Sequence, residues 1–284
     1  MKPILLRVVL ALVLLPLLWA MASAQAVTFP SLDSALPGRS DVTYLDLARM
    51  IIPDLAADKN GTYQGGLPID MRHIEGPDSG GSPPETSNLS NAEVLSIKAG
   101  GKDRLAILFD LGDSSDSAEG YAVLALYDVA AKPKLLDKAN VALDRNTYFR
   151  KPGKLAISAN DDILTIESSH SNSNQNYMIE SMVMVANDKL KLINIIYMLD
   201  EHVCAYSRTQ DIAFKAIAER RRYAAIRVTV TDATGPTDDP CDEAPPKVTS
   251  HQIAVTYHWN MKRSRYVRDS DAFERLAGEN AKRF

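Results

Sequence analysis

The sequence predicts a mainly β chain of the α+β class. Its expected form is an antiparallel meander, either an open sandwich or a partial, propeller-like sheet, with one helix near each end. Three observations predict it. Apolar residues alternate with period two on both sides of Asn187-Asp188. Other strand-like runs follow one another at short spacing, separated by turn residues. No β-helix-β rhythm interrupts them, which speaks against a parallel sheet.

The hairpin around Asn187-Asp188 anchors the reading. Asn and Asp tolerate positive φ, so the pair predicts a two-residue turn between strands over 177–186 and 189–199. In a regular register Val185 faces Leu190, Val183 faces Leu192, Ile179 faces Ile196 and Tyr177 faces Met198, all on one side. Ser181 and Asn194 then stand opposite each other as hydrogen-bond partners. The other side pairs Met184 with Lys191, Met182 with Ile193 and Glu180 with Ile195. Both sides are largely apolar, which places the hairpin centrally in its sheet.

From the start of the chain, Lys2 and Arg7 lead into an apolar run over 8–21, followed by Ala22-Ser23-Ala24. This is the pattern of a secretory signal peptide cut before Gln25. The run is short for a membrane span, and no later stretch is apolar for long enough. The expected product is a soluble periplasmic or secreted chain with no membrane span after cleavage. Beyond it, 25–91 reads as an N-terminal arm and 92–284 as the main antiparallel domain. In the arm, Ser40-Asp41 signals the start of a helix over 41–52 that ends at Pro53. Tyr44, Leu47, Ala48 and Ile51 fall on its inner face, and Asp46 and Arg49 are spaced to pair on the outer one. Residues 76–91, dense in Gly, Pro, Ser and Asn, predict a mobile loop.

In the main domain, strands are expected over 93–98, 104–111, 121–128, 134–143, 147–149, 154–158 and 162–167. After the hairpin, 212–217 fits strand and helix about equally, and 223–231 alternates. In the tract 248–260, His251, Ile253, Val255, Tyr257 and Trp259 share one face. A turn returns the chain through 265–268. Ser270 is positioned to cap a last helix over 271–282, whose inner face carries Phe273, Leu276 and Ala277.

The formal charge of the 284-residue chain is −4, and loss of Lys2 and Arg7 with the leader makes it −6. An acidic chain is a poor match for nucleic acid as main partner. Cys204 and Cys241 are the two cysteines, and in an oxidising compartment they predict one disulfide. Closing a loop of about 37 residues would stabilise by roughly 3–4 kcal/mol. Neither cysteine has a C-x-x-C neighbour, so zinc is disfavoured, and no metal or cofactor is predicted. Asn60 and Asn88 head Asn-x-Ser/Thr sequons.

Several clusters carry groups capable of chemistry. Leu111-Gly112-Asp113-Ser114 resembles the nucleophile block of GDSL-type hydrolases, a family with a late Asp-x-x-His base. Here the only such spacing, Asp70 with His73, precedes the serine, so the order is wrong, and the block reads as an acidic surface turn. Asp110, Asp113, Asp116 and Glu119 could offer calcium oxygen ligands, but not at EF-hand spacing. Asp200 and His202 share a face if their strand continues. Arg220-Arg221-Arg222 fits a hairpin tip, with an anionic partner as the alternative. The segment 168–176 is packed with hydroxyls and amides and is longer than a hairpin connection requires. Ser169, His170, Asn172, Asn174 and Gln175 are therefore the expected ligand-binding residues, for a glycan or peptide.

Together these point to an exported, non-catalytic binding or structural module of the cell envelope. The alternatives are an envelope hydrolase using His170 or His202 and a calcium-stabilised module.

Overall fold

The computed structural model describes residues 26–66, 71–89, 91–237 and 246–283. The leader 1–24 and Cys241 lie outside these residues, and the expected disulfide with them. The arm holds β1 (Ala35–Leu36), β2 (Arg39–Thr43), α1 (Tyr44–Ala48), β3 (Ala56–Ala57), β4 (Tyr63–Gly65) and β5 (Ser87–Leu89). Next come β6 (Glu93–Ala99), β7 (Lys102–Asp113), β8 (Gly120–Asp128) and β9 (Lys134–Asn140). The remainder is β10 (Asn146–Ala156), β11 (Asp162–Ser171), β12 (Gln175–Ala186), β13 (Lys189–His202), β14 (Tyr206–Ile217), β15 (Ala225–Pro236), β16 (Thr249–Asn260), β17 (Arg265–Arg268) and α2 (Ala272–Asn280).

Among the described residues every pair of named strands is antiparallel, and strands neighbour one another in chain order. β6–β9 form one meander and β10–β17 a second, eight-stranded one. The fold class read from the sequence is thus present, with the 187–188 hairpin in the interior of the larger sheet. Asn187 and Asp188 both have positive φ, 53° and 57°, as a tight turn of this handedness requires. The Asp188 carboxylate pins the turn to β7 through Arg104, 3.0 Å away.

The hairpin register holds from Ala186–Lys189 to Val183–Leu192 and then shifts. A bulge inserts Ile193, so Met182 faces Asn194, Ser181 faces Ile195 and Glu180 faces Ile196. The expected Ser181–Asn194 pair is therefore wrong. Asn194 Nδ2 instead donates to Tyr257 Oη at 2.8 Å, and Ser181 Oγ donates to Ile166 O at 3.4 Å. The bulge also moves Ile196 and Met198 to the side of Met178 and Met182.

Apolar clusters stack the chain in sequence order. Arm residues such as Leu32, Leu47 and Ile51 pack on one face of β6–β9 with Ile107, Val123 and Tyr127. The other face packs Leu108, Leu124 and Leu126 against Leu164, Ile166, Val183 and Val185 of β11 and β12. A third cluster fills the space between β11–β13 and β14–β17, with Phe273 and Leu276 of α2. The larger sheet doubles over because β13 and β14 pair only at Glu201–Arg208 and His202–Ser207. Beyond that point the two strands fork.

Several boundaries differ from expectation. The arm helix is five residues, not 41–52, because Arg39–Thr43 pairs as a strand and Thr43 forms the capping box with Asp46. Asp46 is thus engaged with Thr43, and Arg49 Nε donates to Leu55 O rather than pairing with it. The loop 76–91 contains β5, whose Ser87 and Leu89 are buried. The stretches 147–149 and 154–156 belong to one strand, β10, whose pairing is irregular between Phe149 and Lys154, and the expected strand residues 157–158 lie beyond its end. The ambiguous 212–217 lies in strand β14. Asp271, not Ser270, is the N-cap of α2, without a side-chain cap bond.

Candidate ligand-binding cleft

The segment 168–176 is not a long loop. β11 runs to Ser171 and β12 starts at Gln175, leaving a tight connection. Cross-strand pairing of His170 with Tyr177 and Ser171 with Asn176 accounts for the extension. Asn172 Oδ1 closes the turn by accepting from the N–H of Asn174 and Gln175 at 3.1 and 3.0 Å. The Asn172 amide thus serves its own turn, whereas Gln175 Nε2 donates to Arg283 O at 3.1 Å.

His170 is placed differently. Its ring stacks on Tyr177, with centroids 4.3 Å apart and planes 11° from parallel. Its Nδ1 lies 2.5 Å from Asp144 Oδ2, and among the described residues Nε2 has no protein partner. One ring nitrogen is held while the other is offered to whatever enters.

What it faces is a cleft of about 600 Å³ lined by Asp144, His170, Ile179, Tyr197, Leu199 and the α2 side of the fork. That volume suits a small organic ligand. Tyr177 also lines it, but its hydroxyl donates to Gln175. Tyr197 is 45% exposed, a large apolar surface on an interior strand. Loss of hydration pushes its phenol above the ordinary value, and the charges of Glu75 and Glu119 push it further.

The far wall is fixed by a buried polar network. Arg208 bonds Asp232, Nε to Oδ1 at 2.8 Å. Gln210 Nε2 donates to Asp232 at 2.9 Å and to Asn280 Oδ1 at 3.1 Å. Gln210 Oε1 accepts from Leu199 N at 3.0 Å and from Asn280 Nδ2 at 2.9 Å. At the fork, then, a side-chain amide satisfies a strand N–H that has lost its ladder partner, and the same amide holds α2.

The remaining sequence candidates are dispersed. Ser169 is not in the cleft lining; Asn172, Asn174 and Gln175 line a separate shallow hollow with His202. β13 does continue to His202, so Asp200 and His202 share a face, and Asp200 Oδ1 accepts from Gln210 N at 2.7 Å. Ser114 of the GDSL-like block donates to Ser82 O and Asp116, and His73 contacts Ala142 O at 2.9 Å. Asp116, held by Ser82 and Ser114, falls to about 2. Among the described residues no group of three or more His, Cys, Asp or Glu is arranged to hold a metal. Arg220–Arg222 lie at the β14–β15 tip, as expected.

The sequence reading missed Asp144, Tyr197 and α2 as cleft walls, because each reaches His170 only through tertiary packing. Comparison with family models, curated proteins and solved structures finds no match for this chain.

Proposed function

We propose that this is an exported, non-catalytic binding module of the cell envelope, and that its ligand is a small, mostly apolar molecule held in the His170 cleft. The cleft lining carries the reading: apolar walls with Asp144 and His170 as the polar pair at one end. The Asp144 carboxylate in the lining selects a neutral or cationic ligand over an anion. Binding fits better than hydrolysis because the lining contains no Ser, Thr, Cys or Lys among the described residues. The hydroxyl of Ser168, on the same face as His170, is taken by Thr147 at 2.9 Å. Export rests on the pattern in 1–24, and the Cys204–Cys241 bridge belongs with it.

The test is titration with a neutral naphthylamine dye and its sulfonated, anionic analogue. The neutral dye should bind more tightly. Ala277→Trp, which fills the cleft from α2, should abolish that binding without lowering the melting temperature. Undiminished binding to a folded Ala277→Trp variant removes the cleft from consideration.

A further inference from the structure

The strongest charge feature outside the cleft lies at the other end of the hairpin. Two adjoining hollows of about 300 and 380 Å³ share Ala186, Trp259 and Ser264 and run past the Asn187–Asp188 turn. Lys102, Lys191, Arg222 and Arg265 line them. All four are exposed, and among the described residues none has a carboxylate within ion-pair distance. The acids present are already engaged: Asp188 with Arg104, and Asp161 with the N–H of Gly100 at 2.8 Å and the Ser158 hydroxyl at 3.0 Å. On a chain of net charge −4 this is a local reversal of sign.

The cations sit on a braced frame. Arg221 Nη1 donates to Trp259 O at 3.2 Å, joining the β14–β15 tip to the β16–β17 hairpin. The Arg222 guanidinium lies 5.0 Å over the Tyr223 ring, and Tyr223 meets Trp259 edge-on at 4.7 Å.

We propose that this groove binds a linear anionic polysaccharide. The groove is concave and its cations are strung along it, so it suits one extended chain carrying repeated carboxylate or ester anions. The aromatic rings beneath are buried, Tyr223 at 4% and Trp259 at 6% exposure, and leave no platform for stacked bases. A bilayer would need a convex apolar face, and here the exposed apolar side chain is Met261, at the hairpin tip.

The experiment measures binding of the full chain to a heparin dodecasaccharide, to a polygalacturonate oligomer, to duplex DNA and to phosphatidylglycerol vesicles. At least one oligosaccharide should bind more tightly than DNA or vesicles. Raising salt from 50 to 200 mM should weaken binding at least tenfold, as release of counterions from several contacts requires. The combined variant Lys191→Ala, Arg222→Ala, Arg265→Ala should lose at least tenfold in affinity. Arg265→Glu alone, at the exposed first residue of β17, should do the same should the combined variant not fold. Lys59→Ala with Lys132→Ala, two exposed cations outside the groove, should bind like the parent. The proposal is overturned by absent oligosaccharide binding, by equal loss in the control variant, by full binding in the groove variants, or by DNA or vesicles binding as tightly.

Discussion

Glu180 stands directly across the β11–β12 ladder from Glu167, and the two carboxylates have opposite fates. Glu167 accepts from Arg150 Nη1 at 2.5 Å and from the Tyr148 hydroxyl. Glu180 is fully buried, and neither of its oxygens has a hydrogen-bond partner. Its closest cation, Arg150, is 3.9 Å away. Loss of hydration holds its carboxyl well above the usual range, against the pull of Arg150 and with added push from Glu167.

This fixes the sign of a pH effect. As pH rises past the ordinary carboxylate range, unfolded Glu180 releases its proton while the folded chain keeps it. The unfolded state then binds fewer protons, so stability falls until the raised folded value is passed. Glu180→Gln should flatten that decline in urea unfolding between pH 4 and 8. Glu180→Met, beside Met178 and Met182, should stabilise by about 1–4 kcal/mol at pH 8. A Glu180→Gln profile superimposable on the parent's contradicts the assignment.

The Arg208–Asp232 pair should behave the other way. Burial alone would raise Asp232, but bonds from Arg208 and Gln210 bring it below its ordinary value. Its contribution is present above the usual carboxylate range and is lost as pH falls through the lowered folded value. Asp232→Ala leaves Arg208 buried without its partner and should cost about 3–5 kcal/mol at pH 7. The acid limb of the unfolding curve should become shallower. Because Gln210 and Asn280 share the network, amide exchange across 272–280 should accelerate more than exchange in β6–β9. Equal acceleration everywhere argues against a specific hold on α2.

The hairpin, its central place and the meander were legible because period-two alternation and Asn187-Asp188 are local signals. The bulge at Ile193 was not, since an inserted residue looks like any other apolar one until Tyr257 claims Asn194. Glu180 did leave a trace, as the acid in an otherwise apolar stripe from Met178 to Met184. His170 was singled out for the wrong reason. Its polar neighbours suggested a loop, whereas stacking on Tyr177 continues the strand, and Asp144 reaches it from 26 positions away.

Within the cleft, Asp144→Asn and His170→Phe separate charge from shape. The Phe ring can keep the stack on Tyr177 while removing both ring nitrogens. Each variant should weaken binding of the neutral dye's amine-bearing analogues by roughly threefold to tenfold, the range of one hydrogen bond. Ser169→Ala and Asn172→Ala should leave affinity unchanged, since neither side chain lines the cleft. Affinity loss in those two variants and not in the first two would move the site to the β11–β12 turn.

The bulge yields the sharpest test of how the fork is made. Every pair from Met182–Asn194 to Gln175–Glu201 follows a regular ladder once Ile193 is left out. Deleting Ile193 should therefore keep those partners and remove the local twist that the extra residue adds. The lost half-buried side chain should cost about 1–2 kcal/mol. The larger effect should fall on the fork: with the twist gone, Leu199 N and Asn280 lose alignment with Gln210, and exchange at both should rise. Deleting Leu190 instead shortens β13 within its regular stretch, next to the turn. The bulge can absorb that loss, but Lys191 then takes the buried place of Leu190 and Leu192 the exposed place of Lys191, so the variant should be the less stable of the two. If deleting Ile193 proves the more damaging of the two, the extra residue sets the register itself rather than only the splay of β13 from β14.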